Sequence, residues 1–113
     1  MSTARPDYKI AEIKQIMRSG DVWVREFTVG VDEEVPWHRH TQVEDHCYGL
    51  EGLVRVQSAA PGGKAEDFTL RPGEKCVLPA GTAHRLTAAG GARARYLLVQ
   101  KGEYDFVTVA APV

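Results

Sequence analysis

Four histidines stand in the chain, His38, His40, His46 and His84, and three of them are placed where a metal site would want them. His38-Arg39-His40 sets two imidazoles at i and i+2. On a strand those positions point to one face, roughly 7 Å apart at the Cα atoms. Two rings so placed can converge on one ion about 2.1 Å from each nitrogen, with Arg39 turned away. Alone, the tripeptide is a weak signal, because such pairs also decorate surfaces. Asp45 lies five residues after His40, ahead of Cys47-Tyr48-Gly49-Leu50. If the chain returns beside its own strand, this carboxylate can face the two imidazoles. Two histidines and a carboxylate suit Fe(II), and also Mn, Ni or Co, while leaving coordination positions open. In Pro79-Ala80-Gly81-Thr82-Ala83-His84 the Pro and Gly make a tight turn. His84 then opens the next strand and can swing into the same cavity.

These side chains need a scaffold that brings residues 38–45 and 84 together. Val22 to Val31 is rich in Val, Trp, Phe and Thr, which fit a pleated surface. Strand-like runs follow at Cys47–Gln57 (two strands meeting at Glu51-Gly52), Phe68–Leu70, Lys75–Leu78, His84–Thr87, Ala92–Gln100 and Tyr104–Val109. Gly and Pro punctuate them at Pro61-Gly62-Gly63, Arg71-Pro72-Gly73, Pro79-Ala80-Gly81 and Gly90-Gly91. Short strands at such spacing predict an all-β sandwich or barrel. No helices intervene to build parallel β-α-β units, and no G-x-G-x-x-G or P-loop pattern occurs. Ahead of the strands, Ile10, Ile13, Ile16 and Met17 recur at helix-like spacing. They predict one short helix over Tyr8–Arg18, with an edge strand as the alternative. Residues 1–7 read as a loose tail, and 1–113 as a single domain with its core at about 22–100.

The two histidine-bearing segments resemble the two motifs of the cupin family. Residues 38–52, HRHTQVEDHCYGLEG, are similar to H-x-H, three or four residues, an acid, six residues, then Gly. Residues 73–84, GEKCVLPAGTAH, are similar to G-x5-P-x-G-x2-H, with Gly73, Pro79, Gly81 and His84 in the fixed positions. The resemblance covers about residues 22–100. It implies a jelly-roll barrel (a double-stranded β-helix) holding one divalent ion, Fe, Mn, Ni, Co or Zn, on His38, His40, Asp45 and His84. The chain departs from the pattern in having Asp where the family usually has Glu. A Gly opening the first motif would be Gly30, two residues too far from His38, and Ala88 stands where the second motif often ends in Asn. Glu44 is the fallback acid. If Asp45 faces inward, His46 faces outward; a register slip of one residue would turn Glu44 and His46 inward instead. Cys47 and Gly49 share the parity of Asp45 and should lie near the ion, Gly49 leaving space beside it. Trp37 and Tyr48 could bound a pocket, while Trp23 and Phe27 read as packing residues.

Composition narrows the function. Fourteen basic against fifteen acidic residues give a net charge of -1, unlike the basic excess of a nucleic-acid binder. Arg93 and Arg95 read as a solvated strand face, and Asp32-Glu33-Glu34 as solvated charge in a turn. No apolar run approaches the roughly 18–20 residues of a membrane span, and Met1–Lys9 has no secretory character. A cytoplasmic protein is expected. Cys47 and Cys76 make no disulfide framework and no C-x-x-C pair. A chain this short gains from burying surface against a second copy, so a homodimer is expected. The resemblance implies an enzyme acting on a small oxygenated metabolite bound to the metal, by dioxygenase or Lewis-acid isomerase or cyclase chemistry. A binding or sensing cupin without turnover is the alternative, and a structural cupin with no ion is a third reading. Cupins that open unsaturated uronic acids, polyketide cyclases and small dioxygenases resemble the chain about equally.

Overall fold

The computed structural model of the chain describes residues 8–112. Ten strands form: β1 (Glu12–Ser19), β2 (Val22–Val29), β3 (Glu34–Arg39), β4 (Glu44–Glu51), β5 (Leu53–Ala59), β6 (Ala65–Leu70), β7 (Lys75–Leu78), β8 (Ala83–Ala89), β9 (Ala94–Lys101) and β10 (Val107–Thr108). Period-two alternation sets which face each strand buries. In β4 the buried residues are Asp45, Cys47 and Gly49, and in β9 they are Ala94, Tyr96, Leu98 and Gln100. The strands make two antiparallel five-stranded sheets, in the orders β1-β2-β9-β4-β7 and β10-β3-β8-β5-β6. Their inner faces meet in a jelly-roll core of Phe27, Val29, Val35, Val54, Val56, Leu86, Tyr96 and Leu98. The Phe27 and Tyr96 rings stack at 5.2 Å. Each such large apolar side chain contributes roughly 1.5–3 kcal/mol by leaving water. No helix of the described residues is long and apolar enough to cross a membrane.

The helix expected over Tyr8–Arg18 is instead strand β1, antiparallel to β2 and at the edge of its sheet. Ile10 is buried and Ile13 packs on the core, but Ile16 and Met17 are half-exposed on the outside. A bulge between Gln15 and Met17 adds a residue and breaks the period-two count. That insertion made four apolar residues look like a helical stripe. The expected tail, residues 1–7, lies outside the described residues.

Two features of the strands aim the site. Between Val35 and His38, β3 advances three residues while its partner advances two, from Leu86 to His84. This bulge contains Pro36, which has no N–H to give to a ladder. It lets Val35 and His38 both point inward although they are three apart, and it sets His38 directly opposite His84. At the turn from β4 to β5, Gly52 has φ of 69°, and a Cβ there would sit 2.4 Å from the Arg93 carbonyl oxygen. Glycine is required on both counts.

The outer faces carry the charge. Arg95 spans Glu26 at 2.7 Å and Glu51 at 2.8 Å, Arg93 reaches Glu51, and Arg85 pairs with Glu34 at 2.6 Å. Exposed pairs of this kind contribute little each. Glu33 does more than solvate a turn: its carboxylate accepts the Gly30 N–H at 2.6 Å and the Ala11 N–H at 2.9 Å.

Candidate metal centre

His38, His40, Asp45 and His84 are all buried, and each offers one ligand atom within 4.8 Å of the others. His38 comes from β3, His40 from the residue after it, Asp45 from β4 and His84 from β8, so the group draws on both sheets. Glu44 and His46 turn outward and pair with each other at 2.9 Å. The register expected from Asp45 facing inward is therefore the one adopted.

The second nitrogen of each ring decides what the cluster can bind. His38 Nδ1 lies 2.7 Å from the Pro36 carbonyl oxygen and His84 Nδ1 2.9 Å from that of Thr82. His40 Nδ1 meets the Asp105 carbonyl. A carbonyl only accepts, so all three Nδ1 atoms carry the proton. In their neutral forms the rings present Nε2 lone pairs to the interior, and partners of this kind fix the orientation of metal-ligating histidines.

Asp45 faces those lone pairs. Its Oδ2 is 3.4 Å from His40 Nε2 and 3.1 Å from His84 Nε2. The His84 approach lies off the hydrogen-bonding direction, and His84 Nε2 is left buried without a hydrogen-bond partner. Gln100 Nε2 donates to Asp45 Oδ1 at 3.0 Å. Burial alone would raise the Asp45 pKa, but the two imidazoles facing it hold it well below the usual carboxylate range. Burial would likewise lower the His40 pKa, and the adjoining Asp45 carboxylate outweighs this and raises it. For His38 burial wins: with the neighbouring His84 charge it pushes the pKa from 6.5 down to about 3.

An inward carboxylate and three inward imidazole nitrogens, one of them buried without a hydrogen-bond partner, make a good cation site. An ion about 2.1 Å from each ligand atom sets those atoms roughly 3 to 4.2 Å apart. Asp45 Oδ2 already stands at 3.4 Å and 3.1 Å from two of the nitrogens, and the whole set lies within 4.8 Å. The residues fit a divalent metal, with three imidazoles and one carboxylate as donors and room in the coordination sphere for more.

The cavity around the cluster is small, about 20 Å³, or space for one or two water molecules. Aromatic rings line it: Phe106 stacks on His38 at 4.3 Å, Tyr8 stacks on Phe106 at 5.7 Å, and Tyr104 lies 5.5 Å from the His40 ring. Trp37 and Tyr48, which could bound a pocket but fit packing roles better by sequence, do not line this one. The residues that do include Arg25, Gln100, Tyr104 and Phe106, none of which belongs to a sequence motif. Asp105 is a further contributor that sequence reasoning missed. Its carboxylate accepts from the Thr41 N–H at 2.8 Å and hydroxyl at 2.7 Å, which pins its carbonyl against His40.

Gly49 is near the site's parity but serves another purpose than expected. A Cβ there would meet the Arg71 carbonyl oxygen at 2.5 Å, so the space goes to backbone rather than to the ion. Its N–H donates to Glu74 O at 2.8 Å, and its own carbonyl accepts from Gly73. Cys47 lines the cavity and faces Cys76 across β4 and β7; both thiols are free.

Comparison with known proteins points the same way. The sequence matches the family described as Cupin domain over residues 25–100. No curated protein matches it by sequence. Among solved structures it is similar to an oxalate oxidase, with TM-score 0.73 and 20% identity, covering 79% of this chain and 46% of that one. It is also similar to an oxalate decarboxylase of Lactobacillus farciminis in a formate complex, with TM-score 0.71 and 19% identity, covering 79% and 27%. Peruvianin-I, a cysteine peptidase from Thevetia peruviana latex, matches with TM-score 0.71 at 12% identity, covering 79% and 56%. The chain spans less than two thirds of each of these. At such identities the likeness is one of fold, which hosts unlike activities.

Proposed function

Since this chain belongs to the cupin family, we propose that it is a metal-dependent enzyme whose small oxygenated substrate binds directly to a divalent ion held by His38, His40, Asp45 and His84. The observation that carries this reading is the set of three imidazole Nε2 atoms and one carboxylate converging in one buried cluster, each Nδ1 held by a backbone carbonyl. Fold neighbours that include an oxalate oxidase and an oxalate decarboxylase support metabolite chemistry on this scaffold.

When bound, the ion supplies either Lewis-acid polarisation of a substrate oxygen or, as Fe or Mn, redox chemistry beside it. The chain's own residues do the rest. Asp45 offsets one of the ion's charges, and Gln100 fixes the carboxylate's free oxygen. Phe106, Tyr8 and Tyr104 line the cavity and shield part of it from water, which strengthens the electrostatic contacts within. Burial raises the Tyr104 pKa above its ordinary value, so its hydroxyl stays protonated and can donate to a bound oxygen. The proposal extends to pairing of two copies, which would cover Ile16 and Met17, 49% and 51% exposed, and sedimentation velocity checks it.

Elemental analysis of protein purified without an affinity tag tests the centre. About one ion per chain, absent from the H38A/H84A double variant, is the expected result. Oxygen uptake with Fe(II) and a panel of diketones, catechols and uronic acids then separates dioxygenase from Lewis-acid chemistry. No ion in the wild type after reconstitution would leave a cupin that binds without metal.

A further inference from the structure

The cavity holds one more charged group that the metal reading does not use. Arg25 lies on β2 at the parity of Phe27 and Val29, so it points inward, and it is only 5% exposed. It lines the same cavity as the three histidines. A buried guanidinium is rare without an acid beside it. Here, among the described residues, no carboxylate pairs with it. Its Nη2 donates to the neutral Gln100 side-chain oxygen, the Tyr104 hydroxyl is a second, neutral hydrogen-bond neighbour, and its Nε is buried with no partner among the described residues. Rings surround the cation: the Trp23 indole at 3.6 Å, Phe27 at 5.1 Å and Tyr104 at 5.5 Å. Aromatic faces and a neutral hydroxyl soften the burial of a cation but supply no counter-charge and leave Nε unused.

Charge accounting adds a second argument. Arg25 and Asp45 cancel, the three imidazoles are neutral when they ligate, and a divalent ion then leaves two positive charges in a water-poor cavity. Among the described residues no other acid lines that cavity. An anionic ligand is what restores balance. Shape narrows its class. Guanidinium presents coplanar N–H donors that match a planar carboxylate.

We infer that the substrate is a small carboxylic acid, its carboxylate held by Arg25 at the wall of the cavity while another oxygen faces the metal position. This deepens the proposed function and relies on it for the ion alone; the Arg25 anchor stands on the unpaired guanidinium. Gln100 links the two ends, because it accepts from Arg25 and donates to Asp45.

Calorimetry on Co(II)-loaded and on metal-free protein tests this with lactate and pyruvate against lactamide and pyruvamide, and with inorganic phosphate. The cobalt visible spectrum and metal content are read alongside. The acids should bind at least tenfold tighter than their amides, and should perturb the cobalt spectrum. R25Q should erase the preference for acid while leaving cobalt content unchanged, and R25K should restore part of it. Equal binding of acid and amide by the wild type, which needs no variant to fold, overturns the inference. So does a preference that survives in R25Q, or phosphate binding tighter than either acid. If the wild type takes up no cobalt, the metal reading fails on its own. The metal-free titration then decides the anchor: an Arg25-dependent preference for acid sustains it, and none ends it.

Discussion

Metal-free protein should lose stability on acidification, and His38 should account for a measurable share. Its ring is 3% exposed and its pKa is pushed from 6.5 to about 3, chiefly by burial. A folded pKa below the unfolded one means that the unfolded chain takes the proton first. Stability therefore falls as pH drops from about 6.5 toward about 3. Between pH 7 and pH 4 the loss from this group is about 3 kcal/mol, a serious fraction of the roughly 5–15 kcal/mol that holds a domain folded. Two neighbours modify the total. The raised pKa of His40 contributes stability at low pH that is lost as pH rises through its folded value, so it opposes the trend. The depressed Asp45 contributes stability above the usual carboxylate range that is lost only as pH falls through its lowered value, so it is largely intact at pH 4. Both neighbours are shared with an H38N variant, in which the amide can still donate to the Pro36 carbonyl. Urea titrations with chelator present, at pH 7 and pH 4, should show the wild type losing about 3 kcal/mol more than H38N. That is a difference of about 1–3 M in midpoint shift. Equal losses in the two proteins would refute the argument that burial keeps this imidazole neutral.

Three further outcomes follow from the geometry. Metal uptake near pH 6 should release a proton from His40, whose pKa is raised, and none from His38, which is already neutral; calorimetry in buffers of different ionisation enthalpy counts the protons, and D45N should lower the count. Removing the Asp105 side chain in D105A frees the segment that carries the His40-bound carbonyl, and should weaken metal binding about tenfold with the fold retained, as read by competition with a chelating dye. Gly49→Ala drives a methyl against the Arg71 carbonyl oxygen at 2.5 Å and should cost about 1–3 kcal/mol in urea, with metal stoichiometry unchanged in the folded fraction.

The candidate ligands were legible in the sequence because their chemistry restricts residue type and spacing. His38 and His40 at i and i+2, with Asp45 and the turn before His84, leave few other uses for those atoms. The positions of most strands were legible for a related reason: runs such as Val22–Val31 and Lys75–Leu78 combine β-favouring residues with flanking Gly and Pro signals, although β1 and β3 were not among the strand-like runs. What was hidden depends on register and distance. The bulge in β1 turned a strand into an apparent helical stripe, and the bulge at Pro36 set the phase of His38. Arg25 meets Gln100 across 75 residues, and His40 meets Asp105 across 65. No motif spans such gaps, because the pairing is made by the closing of the sheets. Trp37 and Tyr48 were nominated for the cavity by aromatic type and nearness in sequence, yet the chain ends of the described region supply the rings: Tyr8, Tyr104 and Phe106.

The three imidazoles owe their orientation to Pro36, Thr82 and Asp105 through carbonyl oxygens. A main-chain oxygen has no codon of its own. At position 82 the side chain can drift while the acceptor stays, as long as the backbone path survives. Position 105 is different, because its carboxylate also fixes the backbone that carries the acceptor. Across lineages of this chain, the length of the 35–38 bulge and of the 79–84 turn should be held more tightly than the residue type at position 82.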